Sequence, residues 1–346
     1  MKKRVLIFCD SYLPGYLGGG GMWAVFNIAD RLKDKFEFFI ITRDCDGKLD
    51  QTPFVHARRD VWNVRPEAQV FYASPAKLDR ATFETLIDEI KPNVIYLNSV
   101  FSYVCRKFLF TRRRSDSIKA PLIIAPCGEF AAAALNIKSA KKRSFLAFAR
   151  LYDLFKGARW KASSRNEREE IENIVESGAE IFQVSELAPD VLLPAFSVDQ
   201  KPVKESGSAR LIYFSRITPK KNLHFLLDFL GGITSGAINL DIVGPSDDED
   251  YLDKCRRAAA DMPPNISVNF RGGKKYEAGL QSLVESHFLI LPTLSENFGY
   301  VVIEALAAGC PVITSDQVDW RSIDETGIVR RIPLAAADRW RIAIEE

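Results

Sequence analysis

The 346-residue sequence is poor in metal-binding and cross-linking side chains, with only six cysteines and three histidines. Cys9, Cys45, Cys105, Cys127, Cys255 and Cys310 are scattered, with no Cys-x-x-Cys pair and no histidine at metal-ligand spacing. This excludes a disulfide frame and a zinc site, and it fits buried thiols in a reducing compartment. No run approaches the roughly 20 apolar residues needed to cross a bilayer. The opening stretch Lys2-Lys3-Arg4-Val5-Leu6-Ile7-Phe8 is too short for a signal peptide. The expectation is a cytoplasmic protein, peripheral at the inner face of the inner membrane at most. Basic stretches interleaved with stacking aromatics are missing too, so no nucleic acid partner is expected. No low-complexity tract interrupts the chain, and 47% apolar with 27% charged residues supplies two cored domains.

Net charge is only +2, but it is unevenly placed. Residues 1–180 carry 30 Lys and Arg against 22 Asp and Glu, and the remainder carries 17 against 23. The basic half includes Arg106-Lys107, Arg112-Arg113-Arg114 and a cluster from Lys138 to Arg143. Such clusters are either solvated faces or points of contact with anionic lipid.

Short β-rich runs alternate with helix-length segments from end to end, the pattern of parallel sheets covered by helices. In the first half, strands are expected at 5–9, 36–42, 94–97, 122–125 and 180–184, with helices at 22–33, 79–90, 144–155 and 166–176. Prolines 189, 194 and 202 with Gly207 mark a linker over 188–208. The second half starts again, with strands at 210–214, 239–243, 266–270, 288–291 and 311–314. Its helices are expected at 223–230, 250–260, 276–285 and 301–308. The implied domains are 1–187 and 209–346. In open α/β sheets, ligands bind where the loops leave the carboxyl ends of strands.

Three such loops stand out. The first follows the opening strand and reads Tyr12-Leu-Pro-Gly-Tyr-Leu-Gly18-Gly19-Gly20-Gly21 before a helix. Glycines let backbone approach a phosphate and a helix start offers N–H groups, although glycines also simply make tight turns. It is neither a Walker A loop nor Gly-x-Gly-x-x-Gly with its downstream acid. The second, Phe214-Ser-Arg216-Ile-Thr-Pro-Lys-Lys221-Asn-Leu, sets a guanidinium fork and an ammonium around one turn, suited to a pyrophosphate and its departure. The alternative is a solvated helix start.

The third runs Leu294-Ser-Glu296-Asn297-Phe298-Gly299-Tyr-Val-Val-Ile-Glu304-Ala-Leu-Ala-Ala-Gly309. Glu304 sits in an apolar helix, where a carboxylate needs a partner. Vicinal hydroxyls of a sugar or ribose would supply one.

The third segment resembles the Glu-x7-Glu signature of the retaining glycosyltransferases of family 4, and the second resembles that family's diphosphate motif. Asp241-Ile-Val-Gly244-Pro245 is similar to its next strand end. The glycine loop, Tyr96-Leu-Asn98-Ser-Val-Phe101 and Ala125-Pro-Cys127-Gly128-Glu129-Phe130 look like a bacterial branch making surface polysaccharides, including lipopolysaccharide. The resemblance covers nearly the whole chain. It implies the GT-B fold, two Rossmann-like parallel-sheet α/β domains facing across a cleft. The implied activity is metal-independent, retaining transfer of a hexose from a nucleotide-sugar donor, UDP by expectation, to a glycan or lipid-linked acceptor.

On this resemblance Glu296, Arg216 and Lys221 are catalytic. Gly19, Gly20, Arg216, Lys221, Gly244, Glu296, Asn297, Phe298, Gly299 and Glu304 bind the donor, and Asn98, Gly128 and Glu129 lie on the acceptor side. No cofactor and no metal are expected. Cys127 stands where the family pattern usually has a basic residue, and relatives continue through further helices beyond position 346. Those departures leave open a sugar-nucleotide-binding protein without turnover. A sugar-nucleotide epimerase of the same fold is a further alternative.

Two signals are set aside. Asp44-Cys-Asp46 matches a metal motif of a different fold. The acidic run 247–250 reads as a helix start.

Overall fold

Segments rich in branched and aromatic residues alternate with amphipathic ones, and in the computed structural model they become the strands and helices of two parallel sheets. The described residues are all except 48, 49, 138, 176, 190–200, 247, 319–326 and 346. The chain divides into two compact units, Met1–Asp190 and Val191–Glu346.

The first unit contains β1 (Lys3–Phe8), β2 (Phe36–Arg43), β3 (Trp62–Val64), β4 (Gln69–Ala73), β5 (Val94–Asn98), β6 (Leu122–Ala125), β7 (Ala158–Ala162) and β8 (Ile181–Gln183). They lie in the order β3-β4-β2-β1-β5-β6-β7-β8, parallel throughout except for antiparallel β3 and β4. Helices α1 (Gly19–Leu32), α2 (Arg80–Ile90), α3 (Tyr103–Arg114), α4 (Ala132–Asn136), α5 (Ser139–Leu151) and α6 (Arg165–Glu172) connect them. The period-two alternation of a strand divides β1 between two cores. Leu6 and Phe8 pack with Phe83 of α2 and Phe108 of α3, while Ile7 packs with Val25 and Ala29 of α1.

The second unit repeats the plan with β9 (Ser208–Phe214), β10 (Ala237–Val243), β11 (Ile266–Gly272), β12 (Phe288–Leu291), β13 (Val312–Ser315) and β14 (Val329–Ile332). All pairs are parallel, in the order β11-β10-β9-β12-β13-β14. Its helices are α7 (Leu223–Leu230), α8 (Glu249–Ala260), α9 (Tyr276–Val284), α10 (Tyr300–Ala307) and α11 (Ala337–Glu345). Leu211 and Tyr213 of β9 join a core with α7, α8 and Trp340 of α11, whereas Ile212 faces Leu280 and Val302 on the other side.

Each sheet has a switch point where the strand order reverses direction, between β1 and β5 in the first unit and between β9 and β12 in the second. Loops leaving the carboxyl ends there diverge and make room for a ligand.

Several elements differ from expectation. The helix expected over 144–155 is α5, which starts at Ser139 and stops at Leu151. Asp153 turns left-handed (φ +50°) and the Leu154 N–H reaches back to the Ala149 carbonyl at 2.9 Å, a glycine-type helix end made without glycine. The helix expected over 166–176 is the shorter α6, capped by the Ser164 side chain on the Glu167 N–H. Strands β3, β4, β7 and β14 and helices α3, α4 and α11 are additional. Residues 190–200 of the expected linker lie outside the described residues. Its described flanks are each tied down locally: the Asn27 amide donates to the Leu187 carbonyl at 3.0 Å, and the Lys201 ammonium to the Ser286 carbonyl at 2.8 Å.

Candidate functional site

In the second unit the site is built on the two loops at the switch point. After β9 the chain runs through Ser215–Thr218, makes a single turn over Pro219–Lys221, and passes through left-handed Asn222 (φ +58°) into α7. Asn tolerates that conformation better than a branched residue does. The loop is pinned from below by buried Tyr213, whose hydroxyl donates to the Arg216 carbonyl at 3.2 Å and to the Lys221 carbonyl at 3.5 Å. It is pinned from the side by Gly244, which follows β10 with φ +151°. A Cβ there would meet the Ser215 carbonyl oxygen at 1.9 Å, so only glycine lets the two backbones touch. Arg216 itself is exposed, and its guanidinium has no carboxylate or carbonyl partner among the described residues.

The loop after β12 docks on the first one. The Lys220 carbonyl accepts from the Leu294 N–H at 2.8 Å and from the Thr293 hydroxyl at 3.2 Å. That docking brings the Lys221 ammonium and the Glu296 carboxylate into a hydrogen-bonded ion pair, with both side chains about one-seventh exposed at 15% and 14%. Burial pushes the Glu296 carboxyl up, but Lys221 and Lys220, together with the Asn297 N–H, hold it below the usual glutamate value. Glu296 is therefore a carboxylate at neutral pH. Gly299 then turns left-handed (φ +79°) to start α10, and the Phe298 and Tyr300 rings meet edge to face at 4.9 Å.

Glu304 lies in the middle of α10 and is only 6% exposed. Burial pushes its carboxyl up to about 7, against the opposing pull of the Tyr276 hydroxyl. At neutral pH it is thus poised between an acceptor and a neutral acid. A ligand hydroxyl donating to it would favour the charged form.

In the first unit, Asn98 ends β5 and binds the other loops. Its amide donates to the Gly21 carbonyl at 2.9 Å, and its Oδ1 accepts from the Cys127 thiol at 3.3 Å. Gly19 and Gly20 form the first turn of α1, with Gly19 at φ +63°. Cys127 and Gly128 are both left-handed, at φ +54° and +74°. The Gly128 N–H is held by buried Glu167 at 2.6 Å, which also accepts from the Ser163 N–H and hydroxyl. Glu129 holds the loop that opens α3. It accepts from the Ser99 hydroxyl at 2.7 Å, the Val100 N–H at 2.7 Å and the Phe101 N–H at 3.1 Å. Burial pushes its carboxyl up, and these three donors oppose that. A buried Lys161–Glu186 pair lies close behind, and the burial that raises the Cys127 thiol is reinforced by Glu186 and Glu167.

The structure thus brings Arg216, Lys221, Gly244, Glu296, Asn297, Phe298, Gly299 and Glu304 together in one unit, and Gly19, Gly20, Asn98, Gly128 and Glu129 in the other. Tyr213, Thr293 and Tyr276, with Glu167 and Lys161, were not foreseen. Tyr213 alone left a trace in the sequence, a polar-tipped ring among the apolar residues that end its strand just before a turn.

The signals set aside have structural employment. Asp44 pairs with Arg59 at 2.7 Å, and Asp46 accepts from the Tyr16 and Leu17 N–H groups, steadying the glycine loop. A Cβ on Gly15 would meet the Asp46 Oδ1 at 2.2 Å. Asp248 caps α8 on the Tyr251 N–H at 3.0 Å, and Asp247 lies outside the described residues. Among the described residues no group of three or more His, Cys, Asp or Glu is placed to hold a metal ion, and no helix is long and apolar enough to cross a membrane.

Residues 196–321, which include every candidate residue of the second unit, match the family model described as Glycosyl transferases group 1. Among solved structures the chain is similar to sucrose-phosphate synthase from Thermosynechococcus elongatus, with 16% identity over 99% of this chain and 89% of that one and a TM-score of 0.71. It is similar to Anabaena HepE in complex with UDP and glucose, with 15% identity, 99% and 90% coverage and a TM-score of 0.66. WaaG, a glycosyltransferase involved in lipopolysaccharide biosynthesis, aligns with 14% identity, 99% and 90% coverage and a TM-score of 0.59. No curated protein sequence matches significantly. The fold is GT-B, with two parallel-sheet α/β domains, as the sequence resemblance implied.

Proposed function

We propose that the chain is a glycosyltransferase that moves a hexose from a nucleoside diphosphate donor to a glycan or lipid-linked acceptor. One observation carries the reading. At the switch point of the second sheet, two docked loops carry an unpartnered Arg216 guanidinium and the Lys221–Glu296 pair, and the helix that follows the second loop carries the buried Glu304 carboxyl. The bond that breaks joins the sugar's anomeric carbon to the diphosphate, and negative charge gathers on the departing oxygen. In this reading Arg216 and Lys221 stabilise that charge, a role that a divalent metal fills in other designs. Glu296, kept ionised by its lysines, accepts from sugar hydroxyls beside the backbone of Asn297, Phe298 and Gly299. Glu304 accepts from the vicinal hydroxyls of the ribose, and Gly244 keeps the Arg216 loop in register.

On the sequence resemblance, Asn98, Gly128 and Glu129 of the first unit are acceptor-side residues, and Gly19 and Gly20 are donor-binding ones. The fold shared with HepE, solved with UDP and glucose, supports uridine as the base, and that shared with WaaG supports an envelope polysaccharide as the product. The reading places the protein in the cytoplasm, against the anionic inner face of the membrane, and assigns retention of anomeric configuration.

The test is donor breakdown. In EDTA, UDP-glucose and UDP-galactose are expected to release UDP slowly, with the liberated sugar first detected by NMR as the donor's own anomer. The inverted anomer would overturn retention. Failure to consume any UDP-, GDP-, ADP- or dTDP-sugar would overturn transfer.

A further inference from the structure

Helix α3 presents a face that the proposed donor site does not use. Its buried side holds Val104, Cys105, Phe108 and Leu109, while Tyr103, Arg106, Lys107, Phe110 and Arg114 recur at three- and four-residue spacing on the opposite side. With Arg80 of α2 these five line a cavity of about 480 Å³. Its charge is not cancelled. Arg80 pairs with its own Glu84 at 2.9 Å, but Arg106, Lys107 and Arg114 have no carboxylate within ion-pair distance among the described residues. The one acid of the lining, Asp79, commits an oxygen to capping α2 on the Thr82 N–H. A second basic groove, at the amino ends of β1 and β2, is larger at about 700 Å³, yet its Arg4 and Arg65 are paired with Glu37 and Glu67.

The aromatic part of the face is equally specific. Lys107 and Arg43 both lie over the Tyr103 ring, at 5.5 and 5.7 Å, and the Tyr103 N–H is held by Asp10 at 2.9 Å. The cavity therefore borders the loops that leave β1 and β5. At its other end Phe110 meets Phe148 at 5.7 Å, Phe148 stacks on Tyr152 at 4.1 Å, and Leu151 beside them is 79% exposed. Guanidinium forks suit phosphate oxygens, and an exposed apolar shoulder suits an alkyl chain. We propose that this cavity seats the phosphate headgroup of an anionic lipid, with Phe148, Leu151 and Tyr152 dipping into the acyl boundary. The proposal deepens the membrane-surface part of the functional reading and turns a diffuse basic surface into a defined site beside the acceptor-side loops.

The experiment is co-sedimentation with vesicles of phosphatidylglycerol and phosphatidylcholine, which needs no turnover. The wild type is expected to bind mixed vesicles and not pure phosphatidylcholine. Lys107→Gln with Arg114→Gln, both exposed residues, is expected to lower the partition about 25-fold, about fivefold per cation. Leu151→Asp should lower it as well. Removing two charges from the other groove, Lys2→Gln with Lys3→Gln, should change it less than about twofold. Unchanged melting temperatures and nucleotide binding in these variants separate this site from the donor site, so either can fail alone. Equal losses in the two charge variants, binding to neither vesicle, or capture of inorganic pyrophosphate by this face without vesicle binding would each overturn the proposal.

Discussion

Glu304 couples the charge state of the site to the stability of the fold. Its carboxyl is raised to about 7 from an ordinary 4.5, so the folded state keeps a proton that the unfolded chain releases. Stability from this group is greatest below pH 4.5, falls between 4.5 and 7, and stays reduced above that, a difference of about 3 kcal/mol. Glu304→Gln should therefore be more stable than the wild type at pH 8, by up to that amount, with the gap closing near pH 4.5. Urea melts across the range measure it, and a gap independent of pH would refute the assignment. Nucleotide affinity should move the opposite way, rising in the wild type as the carboxyl ionises through pH 7 and staying flat in the variant. Lys221 gives a second residue-scale prediction. Lys221→Met strands the Glu296 carboxylate and should cost about 3 kcal/mol, most of it recovered by adding Glu296→Gln. An additive pair of losses would show that the ion pair contributes nothing. Glu296 and Glu304 were legible in the sequence because a carboxylate inside or beside an apolar helix is out of place. Thr293 and Glu167 were not, because each acts through a backbone group of a distant segment, the Lys220 carbonyl and the Gly128 N–H, and Tyr213 showed only as a polar-tipped ring before a turn.

At the scale of elements, the site depends on loops touching backbone to backbone. Gly244→Ala must move the Ser215 carbonyl and should cost at least about 2 kcal/mol while weakening nucleotide binding. Gly207 is the control. It too is left-handed, at φ +76°, but nothing lies within 4 Å of its added Cβ, so Gly207→Ala should cost about 1 kcal/mol and leave binding unchanged. Equal effects at the two positions, read by denaturation and titration, would remove the close approach from the account. Most strands between β1 and β13 were readable as short branched runs. Helix α3 was obscured because its aromatic and basic face reads as a charge cluster, although Val104, Cys105, Phe108 and Leu109 follow a helical period. The end of α5 was misplaced because left-handed Asp153 does the work that glycine usually signals.

For the whole molecule, the doubling of one α/β plan was visible from the alternation of elements, since parallel strands need helical crossovers. Sheet edges were less visible. Strand β3 runs three residues with none buried, and β14 runs four with only Val329 and Ile332 at its ends buried, too short a pattern to read. Whether Arg216 and its neighbours form a nucleoside diphosphate site in the second unit is read from calorimetric titration. UDP, GDP, ADP and dTDP would be titrated in EDTA against the wild type and Arg216→Ala. One of them, UDP first, is expected to bind the wild type without metal and to lose at least tenfold in affinity in the variant, about the 1.5–3 kcal/mol of a charged hydrogen bond. Binding of none of the four, or equal binding to both proteins, would contradict it.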